Sequence, residues 1–155
     1  MAITISGLYV VPWINDMVGS HAINWDLETH KCALLTNVST PNFSAAAAAA
    51  VYGAGAGAAH TEATGTGYTA GGQLLTATTV TESPASVLMF DAADVSWTAS
   101  TIAAARGALI YADAIATPAA KPALVMINFG ADYSTNNGTF TIQWPATGIF
   151  TWDVY

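Results

Sequence analysis

Along most of this chain, apolar residues recur at alternate positions in short runs, and Gly, Pro, Asn or Asp separates one run from the next. That spacing predicts β-strands, whose successive side chains point to opposite faces. The clearest runs are Gln73 to Glu82 (QLLTATTVTE), Val87 to Phe90, Val95 with Trp97, Ala123 to Phe129 (ALVMINF) and Thr139 to Trp144 (TFTIQW). In the last of these, Phe140, Ile142 and Trp144 share one face. Asn136-Asn137-Gly138 just before it predicts a hairpin turn, because its central residues tolerate positive φ. Gly148 to Tyr155 closes the chain as another alternating strand, with Phe150, Trp152 and Val154 on one side. Ala22 to Asp26 and Lys31 to Thr36 read as two further strands joined by a turn. Thr101 to Ala112 (TIAAARGALIYA) fits a helix by its alanines and a strand by ALIY; Gly107 and the β-rich surroundings favour the strand.

Two segments depart from this pattern. Ala2 to Val11 reads as a short strand, but its alternation is not strict and Pro12 breaks it. Residues 1–20 are therefore expected to form an N-terminal arm that contacts a neighbouring chain, with residues 21–155 as the domain. Ser44 stands where a helix N-cap would, ahead of the alanines from Ala45 to Val51, and the Gly-Ala alternation to Ala59 would stop that helix. With no βαβ alternation, the expected fold is mainly β: a single-domain β-sandwich or jelly-roll-like structure with one short Ala-rich helix.

Composition narrows the partners. The chain has 155 residues, of which 53% are hydrophobic and 8% charged, where soluble domains average about 25% charged. A globule of this size exposes roughly 7,000 Å², leaving about one charge per 500 Å². A surface so sparsely charged is expected to be covered by partners. The net charge is −7, and the only basic side chains are Lys31, Arg106 and Lys121. That leaves no footprint for phosphate, so neither nucleic acid nor an anionic membrane is expected as a partner. No run approaches the ~20 strongly apolar residues of a membrane span. The apolar start lacks a basic n-region, so synthesis in a cytoplasm without secretory export is expected. The sequons at Asn37, Asn42 and Asn137 are then coincidental.

Candidate chemistry is thin. Gly65, Gly67 and Ala70 fit G-x-G-x-x-G/A, but that fingerprint works only between a strand and a helix, and QLLTATTV follows it here. His21, His30 and His60 share no ligand spacing. His30 and Cys32 would share a strand face, yet two ligands do not make a zinc site. Cys32 reads as a buried, inert thiol. The carboxylates Asp16, Asp26, Glu28, Glu62, Glu82, Asp91, Asp94, Asp113, Asp132 and Asp153 fall mostly at turns, where Asp holds its own backbone. No nucleophile motif occurs. No catalytic, cofactor-binding or metal residue is assigned, no cofactor is expected, and the chain is not expected to be an enzyme. Trp97, Trp144 and Trp152 read as packing residues.

Several segments in order carry a resemblance: Lys31-Cys-Ala-Leu-Leu, Gly65-Thr-Gly-Tyr-Thr-Ala-Gly-Gly-Gln73, Phe90-Asp-Ala-Ala-Asp-Val-Ser-Trp97, Ala105-Arg-Gly-Ala-Leu-Ile-Tyr111, Ile127-Asn-Phe-Gly-Ala-Asp132, and Gly138-Thr-Phe-Thr-Ile-Gln-Trp144 with Gly148-Ile149. From about residue 22 onward the chain resembles a family of small structural proteins of tailed bacteriophages, some similar to capsid decoration (cement) proteins. The resemblance implies a non-enzymatic virion protein on the outer surface of the head. It would bind and stabilise the capsid shell, with the major capsid protein or other virion proteins and its own copies as partners, as a homotrimer. The alternative is a tail, head-fibre or adhesion module that binds a host glycan through exposed aromatics such as Tyr68 or Tyr133.

Overall fold

The computed structural model describes residues 3–19, 23–27, 29–46, 50–53, 58–83, 86–117 and 119–153. In chain order the elements are β1 (Gly7–Leu8), α1 (Val10–Met17), β2 (His30–Thr36), β3 (Thr40–Pro41), β4 (Ala58–Ala59), β5 (Gly65–Thr66) and β6 (Gln73–Leu74). They continue with β7 (Thr79–Ser83), β8 (Val87–Asp91), β9 (Val95–Ile102), β10 (Ala105–Ala112), β11 (Ala123–Tyr133), β12 (Gly138–Ile142) and β13 (Phe150–Asp153). The domain is mainly β and sandwich-like, and its strand pairings are antiparallel. A five-stranded sheet runs β1-β11-β10-β2-β6; two three-stranded sheets run β12-β9-β5 and β13-β8-β7; β3 and β4 form a ribbon.

The core explains why the CALL and ALIY stretches are continuously apolar. β2 and β10 lie inside the large sheet, and both of their faces are covered. Cys32 and Leu34 of β2 join Ala108 and Ile110 of β10 in one cluster, together with Trp97 and Ile102 of β9 and Phe140 and Ile142 of β12. The alternate residues Ala33, Leu35, Leu109 and Tyr111 form a second cluster on the opposite face, closed by Ile3, Tyr9, Ala45 and Ala50. A strand buried on both sides has no polar face to show.

That second cluster corrects the expected N-terminal arm. Ile3 and Tyr9 are completely buried, Gly7 and Leu8 pair with Met126 and Val125, and Tyr9 N donates to Leu124 O at 3.0 Å. Residues 3–19 complete the domain's own core. Pro12 does not interrupt a strand there, because it sits in the first turn of α1, where no intrahelical N–H bond is required. The helix ends where Gly19 takes φ +74° and its N–H bonds Asp16 O, a left-handed C-terminal stop.

The alanine segment is corrected in turn. Of its described residues (45, 46, 50 and 51), none is in a regular helix; residues 47–49 lie outside the described set. Ala50 accepts from Ala123 N at 2.8 Å, Tyr52 N donates to Lys121 O at 2.9 Å, and Val51 bridges Pro122. Ala50 N donates to Ala46 O at 3.0 Å in a single i→i−4 turn; from Ala50 O onward, backbone bonds to the start of β11 outweigh a propensity worth a few tenths of a kcal/mol per residue. The expected strand at 22–26 does not form over its described residues; the chain turns at 25–27, held by the Asn24 side chain, which accepts from Asp26 N and Leu27 N at 3.2 Å. The 73–82 run is two strands, parted where Ala77 takes φ +52°. Asn137 does take a positive φ, +50°, but no hairpin follows: β12 pairs with β9, not with the preceding β11. The turn passes the chain from one sheet to another.

Beside Tyr9, His60 has neither ring nitrogen bonded to a partner among the described residues, and the two rings meet edge to face at 6.3 Å. Burial pushes the imidazole pKa down to about 4. Between pH 6.5 and 4 the unfolded chain therefore takes up a proton that the folded chain refuses, and stability falls as the pH drops through that window. We expect a loss of about 3 kcal/mol from this group, read as a falling denaturation midpoint that His60→Gln flattens. A midpoint whose pH dependence is the same in His60→Gln would contradict this.

Candidate functional site

Six of the described carboxylates that the sequence singled out (Asp16, Asp26, Glu62, Asp94, Asp113 and Asp132) bond the chain itself. Asp94 Oδ1 accepts from Trp144 N at 3.0 Å. Asp26 accepts from Val80 N. Glu62 accepts from the hydroxyls of Tyr68 and Tyr52 and from Gly71 N. Asp113 sits between Lys31 at 3.0 Å and Lys121 at 2.9 Å; burial opposes its ionisation, but the two ammonium groups outweigh that and hold it below the ordinary carboxylate range. Arg106 pairs with Asp132 at 3.3 Å. All three basic side chains thus face acidic groups of the same chain. Glu28 and His21 lie outside the described residues.

The glycine loop works as a structural corner. Tyr68 turns inward: its hydroxyl donates to Glu62 and accepts from Leu34 N at 2.9 Å, and its ring packs 5.8 Å from Trp97. The tyrosine expected at a loop tip therefore belongs to the core rim, whereas Tyr133 is half exposed. Burial, then the Glu62 carboxylate, raises the pKa of Tyr68, so the phenol stays neutral and donates. Cys32 is fully buried and its thiol is pushed up to about 12. Among the described residues, no three His, Cys, Asp or Glu side chains gather as a metal site, and no helix is long and apolar enough to cross a membrane.

The surface feature that stands apart is α1. Val10, Ile14, Met17 and the following Val18 recur at helical spacing, and all are exposed, Met17 to 76%. Apolar residues at i, i+4, i+7 and i+8 make one continuous stripe. Single exposed apolar residues are ordinary; a contiguous stripe marks a contact surface. Next to it lies a groove of about 520 Å³ lined by α1, Trp13 included, and by the aromatic rings of Trp25 and Trp152. Those rings are fixed by one another: Trp13 stacks on Trp25 at 4.6 Å and meets Phe150 and Trp152 edge-on at 5.3 and 5.2 Å. Asp16 locks the arrangement, its Oδ2 accepting from Trp25 Nε1 at 2.9 Å and its Oδ1 from Ile23 N at 3.0 Å. The stripe is legible in VVPWINDM only once the segment is known to be helical. Read as a strand, the same residues alternate between faces.

This geometry suits apolar contact with a protein surface: a rigid aromatic wall and flexible aliphatic side chains, with Asp16 as the one charged side chain among the residues lining the groove. Comparison of the chain with protein-family models, curated proteins and solved structures found no match.

Proposed function

We propose that this chain is a non-enzymatic structural protein of a tailed-bacteriophage virion, a head decoration protein that binds the capsid shell through α1 and its groove. The observation that carries the reading is the exposed stripe of Val10, Ile14, Met17 and Val18 beside a fixed aromatic wall. The resemblance of residues 22–155 supplies the virion, and the scarcity of charge agrees with a surface covered by protein. Lys31, Arg106 and Lys121, all internally paired, leave no cation cluster for DNA, so contact with the shell exterior is favoured over contact with the packaged genome.

The test is co-sedimentation of the purified chain with undecorated heads of the phage that encodes it. The native chain should bind at a copy number approaching that of the major capsid protein. The double variant Ile14→Asp, Met17→Asp should stay folded, since both positions are exposed, and lose binding by at least about tenfold, since two buried carboxylates would be desolvated without partners. Undiminished binding by that variant would remove α1 from the interface. Binding to host-cell glycans in place of heads would replace the decoration reading with the adhesion one.

A further inference from the structure

Sheet edges are where one chain can hydrogen-bond to another, and folded proteins blunt them with shortness, charge, bulges or covering loops. Most edges among the described residues are blunted. β1, β5 and β6 have two residues each. β7 is closed by the 23–27 turn, where Asp26 accepts from Val80 N and from the Thr78 hydroxyl. β13 ends in Asp153, and its Phe150 and Trp152 rings lie against Trp13. β12 differs. It has five residues, it is the outer strand of its sheet with β9 as its neighbour, and no charged residue occurs between Asp132 and Asp153.

A groove of about 430 Å³ runs beside it, and residues 139–143 all line that groove. Successive side chains of a strand point to opposite faces, so five consecutive lining residues place the groove along the free backbone edge. Its other wall is Phe129 and the half-exposed Tyr133 from the outer end of β11, edge to face at 6.2 Å.

We infer that this edge joins two copies of the chain, β12 against β12, antiparallel about a two-fold axis. Charge selects the occupant. At −7 per chain, two copies repel wherever carboxylates face each other, and the uncharged stretch 133–152 lets them meet without that opposition. The strand is also self-complementary, as an isologous contact requires. With Thr141 on the axis, Thr141 faces its own copy, Thr139 faces Gln143, and Phe140 faces Ile142, giving hydroxyl and apolar cross-strand pairs. A two-fold perpendicular to the sheet keeps the apolar faces of both strands on the same side. Each strand then enters the other copy's groove, beside Phe129 and Tyr133, and two three-stranded sheets become one of six. This pairing rests on the fold alone and stands whether or not the chain belongs to a virion. It groups copies in twos, where the resemblance implies threes.

Sedimentation equilibrium of the full chain at micromolar concentration decides it. The expected mass is twice the 15.9 kDa of one chain. Thr141→Lys sets two ammonium groups against each other on the axis and should give single chains. So should Thr141→Glu, whereas an equimolar mixture of the two should recover the double mass. Thr141 is exposed, and a thermal melt checks that each variant folds; should Thr141→Lys not fold, Thr139→Lys, facing Gln143 across the axis, carries the same test. A native chain of single mass, a threefold mass that Thr141→Lys leaves intact, or a mixture that stays monomeric would each overturn the inference.

Discussion

A chain lacking residues 1–19 is expected to lose its cooperative unfolding transition. The deletion removes Ile3 and Tyr9, both completely buried against Ala33, Leu35, Leu109, Tyr111 and Met126. It also removes β1 from the edge of β11 and Trp13 from the aromatic cluster. Each large apolar side chain taken from a core costs about 2–5 kcal/mol, cavity included, and a domain of this size holds only about 5–15 kcal/mol in total. Three such losses reach that range. Far-UV circular dichroism during urea titration reads the result, with Tyr9→Ala as the milder comparison, lowering stability by about 3 kcal/mol. A truncated chain that melts like the native one would show that the segment is a separable arm after all.

The second large effect concerns a glycine in the loop that mimics a nucleotide fingerprint. Gly72 takes φ +72°, and a Cβ there would lie 1.9 Å from the carbonyl oxygen of Cys32 and 2.6 Å from Ala33 Cα. Both obstacles are backbone of β2, a strand locked between β10 and β6, so neither can swing aside. Gly72→Ala is expected to cost on the order of 3 kcal/mol or more, by parting β6 from β2 and by forcing a side chain into left-handed backbone. Gly130 is the control. Its φ is +80°, but no atom lies within 4 Å of the point where an alanine methyl would stand, so Gly130→Ala should cost only the backbone penalty, about 1 kcal/mol. Urea midpoints for the two variants measure the difference. Equal losses would mean that the close approach to β2 contributes nothing.

That glycine shows how far the chemistry of the candidate site could be read in advance. The sequence excluded a phosphate loop from the β-pattern of QLLTATTV, and β6 does follow Gly72. It held no sign that the loop's carboxylate partner would be Glu62, because Tyr52, Tyr68 and Glu62 are brought together by folding and share no spacing. The α1 stripe was hidden for a different reason. Val10, Val11 and Ile14 are β-branched, and a β-branched run beside a proline looks extended until packing supplies the helix with a buried face.

What the sequence determined by itself was the fold class and most of the strands. Val95 with Trp97, and Thr139 to Ile142, alternate because one face meets the core and the other meets water, and that periodicity is local; the slip at Ala99, where φ is +48° and the buried positions change parity to Ser100 and Ile102, was not legible in it. Gly107 and the ALIY run marked β10 against the helical pull of its alanines. The tertiary structure alone decided which strands pair, where the helix forms and what covers the large sheet. Asn137-Gly138 turns the chain, but only the space beside β9 sends β12 there instead of back along β11. Alanine's helical preference does not carry a helix through Ala50 and Val51, where the chain bonds Lys121 and Ala123 through Tyr52 N and Ala50 O. And residues 3–19 fold down, with α1 among them, because the far face of β2 and β10 is apolar and has to be covered by something. Propensity acts over a few residues at tenths of a kcal/mol; burial of a whole sheet face is worth many times that, and it is set by residues distant from one another along the chain.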